Sequence, residues 1–87
     1  MIDDFDQAVE YVNKMKDELD VSVEVKEDLY GLYKRVTIGK CSEKGGARPP
    51  FINLMARRKY DAWKRYDKLN DEECRKKYLT IVNRFSL

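Results

Sequence analysis

The sequence predicts an all-α fold, a four-helix bundle built as one domain over residues 1–87, and three observations carry that prediction. Apolar residues recur three and four positions apart in four separate stretches, the period of a helix with one dry face. Only Asp20–Val25 alternates in the manner of a strand, and a lone strand in so short a chain has nothing to pair with. Three of the four glycines and both prolines gather between the second and third helical stretches, where one long connection is expected.

The first helix is expected over residues 4–16. Phe5, Ala8, Val9, Val12 and Met15 share a face, and Asp3 or Asp4 stands where an N-cap is wanted. The second spans residues 24–38, with Val25, Leu29, Leu32 and Val36 on its apolar side and Gly39 placed to end it. Residues 40–50, KCSEKGGARPP, read as an exposed loop, and Pro49-Pro50 is suited to opening a helix. The third helix is expected over residues 51–66, where Ile52, Met55, Ala56, Tyr60, Trp63 and Tyr66 fall at helical intervals. Asn70 followed by Glu73 has the form of a capping box. Cys74, Tyr78, Ile81, Val82 and Phe85 then mark the fourth helix, over residues 71–85.

Composition narrows the function. The chain is 43% hydrophobic and 11% aromatic, too apolar for a disordered segment, and its 39% of charged residues suits helices with one wet face. A net charge of +2 rules out a polycation. The cations are nonetheless clustered, at Arg57-Arg58-Lys59, Lys64-Arg65 and Arg75-Lys76-Lys77, while most acids lie elsewhere. Local positive charge on a nearly neutral chain suits a small anionic ligand better than a long phosphate backbone, so no nucleic acid partner is expected.

Histidine is absent, which removes the commonest general base and metal ligand. Cys41 and Cys74 are too few and too far apart for a disulfide framework or a metal motif. Cys41, in the loop beside lysines, has no histidine to activate it and reads as an ordinary loop thiol. These features imply no enzyme, no metal and no cofactor. The opening Met1-Ile2-Asp3-Asp4 is unlike a secretory signal, and no apolar run approaches the ~20 residues needed to span a bilayer. A cytoplasmic setting without integral membrane association is expected.

Tyr30, Tyr33, Lys34 and Thr37 stand at i, i+3, i+4 and i+7 of the second helix and form one ridge, offset from its apolar face. Two tyrosines beside a lysine suit a flat ring and a phosphate together. Spacing alone equally describes tyrosines bordering a core with a snorkelling lysine. Lys59 and Tyr60 on the third helix and Tyr78 on the fourth are further candidates of the same kind, whereas Trp63 reads as core.

Taken together, three ordered motifs separate these readings. YGLYKRVTIGK at 30–40 resembles the YxLYKQATxGD signature of the acyl-CoA-binding protein family. RRKYDAWKRY, from Arg57, resembles that family's KAKWDAW segment, with Asp61, Ala62 and Trp63 matching and Tyr60 in place of a tryptophan. DEECRKKYLTIV at 71–82 is similar to the family's last helix, and Phe5, Ala8 and Val12 fit its first. The resemblance implies a skewed four-helix bundle with a bowl-shaped site for a long-chain acyl-CoA ester. By this resemblance Tyr30, Tyr33, Lys34, Lys59 and Tyr78 hold the coenzyme A head group, and Phe5, Val9, Asn13, Lys14, Leu54 and Met55 are candidates for further contacts.

The chain departs from the family pattern in four places. Asn13 stands where a first-helix lysine is usual, with Lys14 adjacent, and Met55 replaces a third-helix lysine. Lys26 and Glu27 occupy positions that are usually apolar, and the loop at 43–50 is a few residues longer. These changes bear on chain-length preference and affinity rather than on ligand class. The function implied is a monomeric acyl-CoA pool former and transporter serving acyl-CoA-using enzymes. The alternative is a helical interaction or nucleic-acid-binding module using the basic face from Arg57 to Arg65. Because the chain has no histidine and phosphates are already ionised above about pH 7, acyl-CoA affinity is expected to stay flat from about pH 7 to 9. Calorimetric titration at several pH values checks this, and a sharp change across that window would contradict it.

Overall fold

The computed structural model describes residues 2–86. Five helices follow one another: α1 (Phe5–Met15), α2 (Val23–Thr37), α3 (Cys41–Lys44), α4 (Leu54–Lys64) and α5 (Asp71–Phe85). The four long ones are those the apolar periodicity predicts. Asp4, not Asp3, caps α1, its carboxylate accepting the Gln7 N–H at 2.8 Å. Ser22 caps α2 by accepting the Val25 N–H at 3.2 Å, so the alternating stretch before it is the entrance to a helix. The capping box of α5 is complete: Asn70 accepts the Glu73 N–H at 2.8 Å, and Glu73 accepts the Asn70 N–H at 3.0 Å.

The departures lie around the long connection. Residues 41–44, read as loop, form the one-turn α3, so Cys41 is fully buried rather than an exposed loop thiol. The Asp67 carboxylate accepts the N–H groups of Cys41 at 2.7 Å and Ser42 at 3.1 Å, supplying the cap that the local sequence lacks. Tyr60 donates its hydroxyl to the Gly46 carbonyl at 3.1 Å, and Arg48 grips Asp61 through two hydrogen bonds, at 2.9 and 2.6 Å. The loop is therefore pinned to one side of α4.

That helix begins at Leu54 rather than at residue 51. Asn53 is its cap, and the Asn53 N–H closes a turn onto the Pro50 carbonyl at 2.9 Å. Phe51 and Ile52, expected inside the helix, lie in that turn and are 78% and 92% exposed. At the other end Tyr66 falls just beyond α4 yet stays buried, donating its hydroxyl to Asp28 at 2.8 Å.

Leu29 and Leu32 of α2 share a core with Phe5 and Ala8 of α1 and with Cys74, Tyr78 and Val82 of α5. α2 packs against both α4 and α5, whereas α1 packs against α5. α2 crosses α4 at Gly31, where a Cβ would lie 2.6 Å from the carbonyl carbon of Ala62. Only a residue without a side chain permits that approach. Trp63, one residue on, is buried and donates its indole N–H at 2.8 Å to the carbonyl of Gly39. Gly39 ends α2 with φ of 123°, a conformation that L side chains rarely adopt.

The crossing yields a prediction in which two effects oppose. In an isolated helix Gly→Ala stabilises by about 1 kcal/mol. In this protein the added methyl meets backbone, which cannot swing aside as a side chain can, and overpacking of this kind costs about 1–3 kcal/mol or more. Gly31→Ala is expected to be net destabilising, and urea unfolding followed by circular dichroism measures it. An unchanged or raised midpoint would mean that α2 and α4 are not held this closely.

Candidate functional site

Three of the five head-group candidates, Tyr30, Tyr33 and Tyr78, converge where α1, α2 and α5 meet. Val9, Val12 and Asn13 from α1, Lys26, Leu29, Tyr30 and Tyr33 from α2, and Tyr78 from α5 line a groove of about 360 Å³, with Lys16 and Leu19 at its rim. A second groove, about 280 Å³, adjoins it and shares Lys26 and Tyr30; Val23, Glu27, Met55 and Lys59 complete its walls. The Lys59 ammonium lies 5.4 Å from the centre of the Tyr30 ring, within cation–π range. The two grooves form a trough with apolar walls and lysines along it.

Four of the other expected residues stand apart from these walls. Lys34 lies over Trp63, its ammonium 4.8 Å from the ring centre. Phe5 is buried beneath the groove and meets the Tyr78 ring edge-on at a centroid distance of 5.0 Å. Lys14 and Leu54 line neither groove. Lys16 and Leu19 were not legible as site residues. Lys16 shares a face with Asn13 three positions before it, and that spacing was the available signal. Tyr60, a candidate from its neighbours, faces the 45–50 loop and lines neither groove.

Burial sets the protonation of the floor. Tyr78, 2% exposed, is pushed up to about 12 by desolvation, with the nearby Tyr33 phenol adding to the shift. Tyr66 is likewise raised to about 12, by burial first and by its hydrogen bond to Asp28 second. Both are neutral donors at neutral pH. Burial also raises the thiols of Cys41 and Cys74 above their ordinary value, so neither is activated as a nucleophile.

Of the five cations from Arg57 to Arg65, Arg58 and Arg65 are matched by acids, and so is Arg48 of the preceding loop. Arg58 pairs with Glu27 at 2.7 Å, Arg65 with Asp28, and Arg48 with Asp61. What remains is not an extended cationic track for a phosphate backbone. A further cavity of about 500 Å³, lined by Val21, Ser22, Asp28, Lys77 and Arg84 among others, contains none of the expected site residues. Among the described residues no cluster of acids and cysteines could hold a metal ion, and no helix is long and apolar enough to cross a membrane.

The model of the family described as Acyl CoA binding protein matches residues 3–82. This chain belongs to the acyl-CoA-binding protein family. The crystal structure of acyl-CoA-binding protein 2 from Oryza sativa superposes with a TM-score of 0.74 at 38% identity, covering 90% of this chain and 84% of that one. Among curated sequences, rice acyl-CoA-binding domain-containing protein 2 is 36% identical over 80 residues, 92% of this chain and 82% of its own length. Acyl-CoA-binding domain-containing protein 3 of Arabidopsis thaliana is 31% identical over 80 residues, but this chain spans only 21% of that protein. Human enoyl-CoA delta isomerase 2 is 34% identical over 83 residues, and there the chain spans 20%.

The raised phenols and thiols give a pH dependence with a definite sign. Folding favours the protonated form of each, so the stabilising contribution is complete below the unfolded values, 9.0 for the thiols and 10.0 for the phenols, and is lost at higher pH, for Tyr66 and Tyr78 towards about 12. Stability to urea is expected to hold up to about pH 9 and then fall, and in ultraviolet titration Tyr66 and Tyr78 should ionise last. Six tyrosines titrating together near pH 10 in folded protein would contradict the buried floor.

Proposed function

We propose that this chain is a single acyl-CoA-binding domain that binds long-chain acyl-CoA esters reversibly and passes them to acyl-CoA-using enzymes. One observation carries the reading: a trough that sets apolar walls, aromatic faces and lysines side by side, on a chain of the acyl-CoA-binding protein family. Acyl-CoA joins a polyanionic head to a greasy tail, and no simpler ligand class calls for both halves of that surface.

In this reading Tyr30, Tyr33 and Tyr78 provide aromatic faces and phenolic donors for the head group. Lys34 and Lys59 face its phosphates. Lys34 leaves the Trp63 ring to do so, and a cation–π contact of about 0.5–1 kcal/mol is weak enough to exchange for a charge-assisted hydrogen bond to phosphate. Lys16, beside Asn13, supplies the first-helix cation that position 13 lacks. The acyl chain lies against Val9, Val12, Leu19 and Leu29. A dozen buried methylenes at ~0.8 kcal/mol each amount to roughly 10 kcal/mol gross, so affinity rises with chain length before association costs are subtracted.

The protein acts as a monomeric carrier in the cytoplasm and not as an enzyme. The raised thiols and the lack of histidine support that reading, and the isomerase named above shares only 20% of its length with this chain.

Calorimetric titration with palmitoyl-CoA, coenzyme A and palmitate tests the proposal. Tight one-to-one binding of the ester is expected, with both fragments much weaker. Tyr33→Ala and Lys34→Ala should each weaken binding about tenfold or more with helicity intact, the scale of one charge-assisted hydrogen bond. Wild-type affinity in both variants would overturn the head-group assignment. No binding of any ester would overturn the function.

A further inference from the structure

The turn into α4 carries an apolar surface of which only Met55 also lines the trough. Phe51 is 78% exposed and Ile52 92%, and Leu54 and Met55, directly after them, are 56% and 68% exposed. Four large apolar side chains within five residues is far from the scattered single exposure that soluble surfaces ordinarily show. The turn cannot retract them, because Asn53 is fixed at both ends: its N–H binds the Pro50 carbonyl, and its side chain caps α4. Behind the turn, Tyr60 and Arg48 anchor the preceding loop to α4.

Charge along this segment of the chain is of one sign. From Lys44 to Tyr60 the sequence holds five cations, Lys44, Arg48, Arg57, Arg58 and Lys59, and no acid. Arg48 and Arg58 are matched by Asp61 and Glu27 from outside the segment. Lys44, Arg57 and Lys59 have no carboxylate partner among the described residues, and Arg57 lies over the Phe51 ring at 5.5 Å.

We propose that the Phe51–Met55 tip docks this protein on anionic lipid surfaces, inserting Phe51 and Ile52 at the headgroup boundary while Lys44 and Arg57 meet lipid phosphates and carboxylates. An apolar wedge with an unmatched cation, Arg57, against it and further unmatched cations nearby in sequence is a combination that holds peripheral proteins at a negatively charged interface. A second copy of this chain is a poorer fit, since a stable interface takes roughly 20–30 residues a side and this patch offers four apolar ones. Nucleic acid is poorer still, because Phe51 is the one ring in the patch on which a base could stack, and Ile52, Leu54 and Met55 offer none. Met55 also walls the second groove, so docking brings the mouth of the trough to the membrane; that consequence rests on the acyl-CoA reading, whereas docking itself does not.

The test is flotation of ligand-free protein with vesicles of phosphatidylcholine alone and with added phosphatidylserine, at low and high salt. Binding is expected to the mixed vesicles, weakening with salt as surface charge is screened. Phe51→Ser combined with Ile52→Ser should cut the partition coefficient about tenfold or more. Arg57→Glu should cut it further on anionic vesicles alone. Both changes lie on exposed or half-exposed side chains, and circular dichroism checks that the helices persist. The double serine variant should bind acyl-CoA in vesicle-free solution as the wild type does, because Phe51 and Ile52 line neither groove. Failure of acyl-CoA binding therefore leaves this result standing. Equal partitioning of wild type and the double serine variant would overturn the proposal. So would no vesicle binding at all, or self-association in sedimentation that those two substitutions abolish.

Discussion

The approach of α2 to α4 at Gly31 governs much of what surrounds it. With no side chain at that point, the backbones nearly touch and the fully buried Ala62 fits beneath. Side chains on either side of the contact must then reach around it. Glu27, four residues before, meets Arg58; Tyr30, alongside, lies under Lys59; Lys34, three residues after, covers Trp63. An ordinary apolar seam would have filled this junction with leucines and left no aromatic or cationic groups to spare. The close crossing instead converts the flank of a helix pair into a polar, aromatic surface. Gly39 secures its far end, because its carbonyl receives the Trp63 indole.

The ion pairs around the crossing add little stability, since exposed pairs of this kind contribute about 0–1 kcal/mol. Their effect is to sort charge. Glu27 and Asp28 are matched by Arg58 and Arg65, so they do not oppose an anion arriving nearby. Lys16, Lys26 and Lys59 have no carboxylate partner among the described residues and remain available to attract one. A chain with a net charge of only +2 thus presents a local field where the trough opens.

What could be read from sequence was what local chemistry writes. The Asn70–Glu73 box and the apolar stripes of α1 and α5 need only neighbours three or four residues away, and each formed where its pattern lay. α3 was hidden because its cap, Asp67, is 26 residues distant from Cys41, so a short polar string beside two glycines resembled an open loop. The prolines suggested the wrong first residue for α4, because a side chain that caps, Asn53, outweighs a ring that merely tolerates the first turn. Lys14 stands as a candidate only because it is next to Asn13 along the chain. A helix turns about 100° per residue, so the residue next to Asn13 points away from its face and the one three later returns to it. Tyr60 shows the opposite limit: a motif match fixed its position along the helix, while its partner, Gly46, was legible only in three dimensions.

The trough also divides its polar groups by depth. The floor holds Tyr78, 2% exposed, a neutral donor at any pH below about 12. A lysine at that depth would have to shed its proton or find a buried counter-ion, and either would oppose the fold. The cations stand instead at the edge, on Lys16 and Lys26, which are exposed to water. Fixed dipoles within and mobile charges without suit a ligand that must leave again. On the proposed acyl-CoA reading, the phenols would orient a phosphate without a permanent buried charge, and the solvated lysines would attract it through contacts that water can replace. On the carrier reading, reversibility follows from that arrangement rather than from weakness of any one contact.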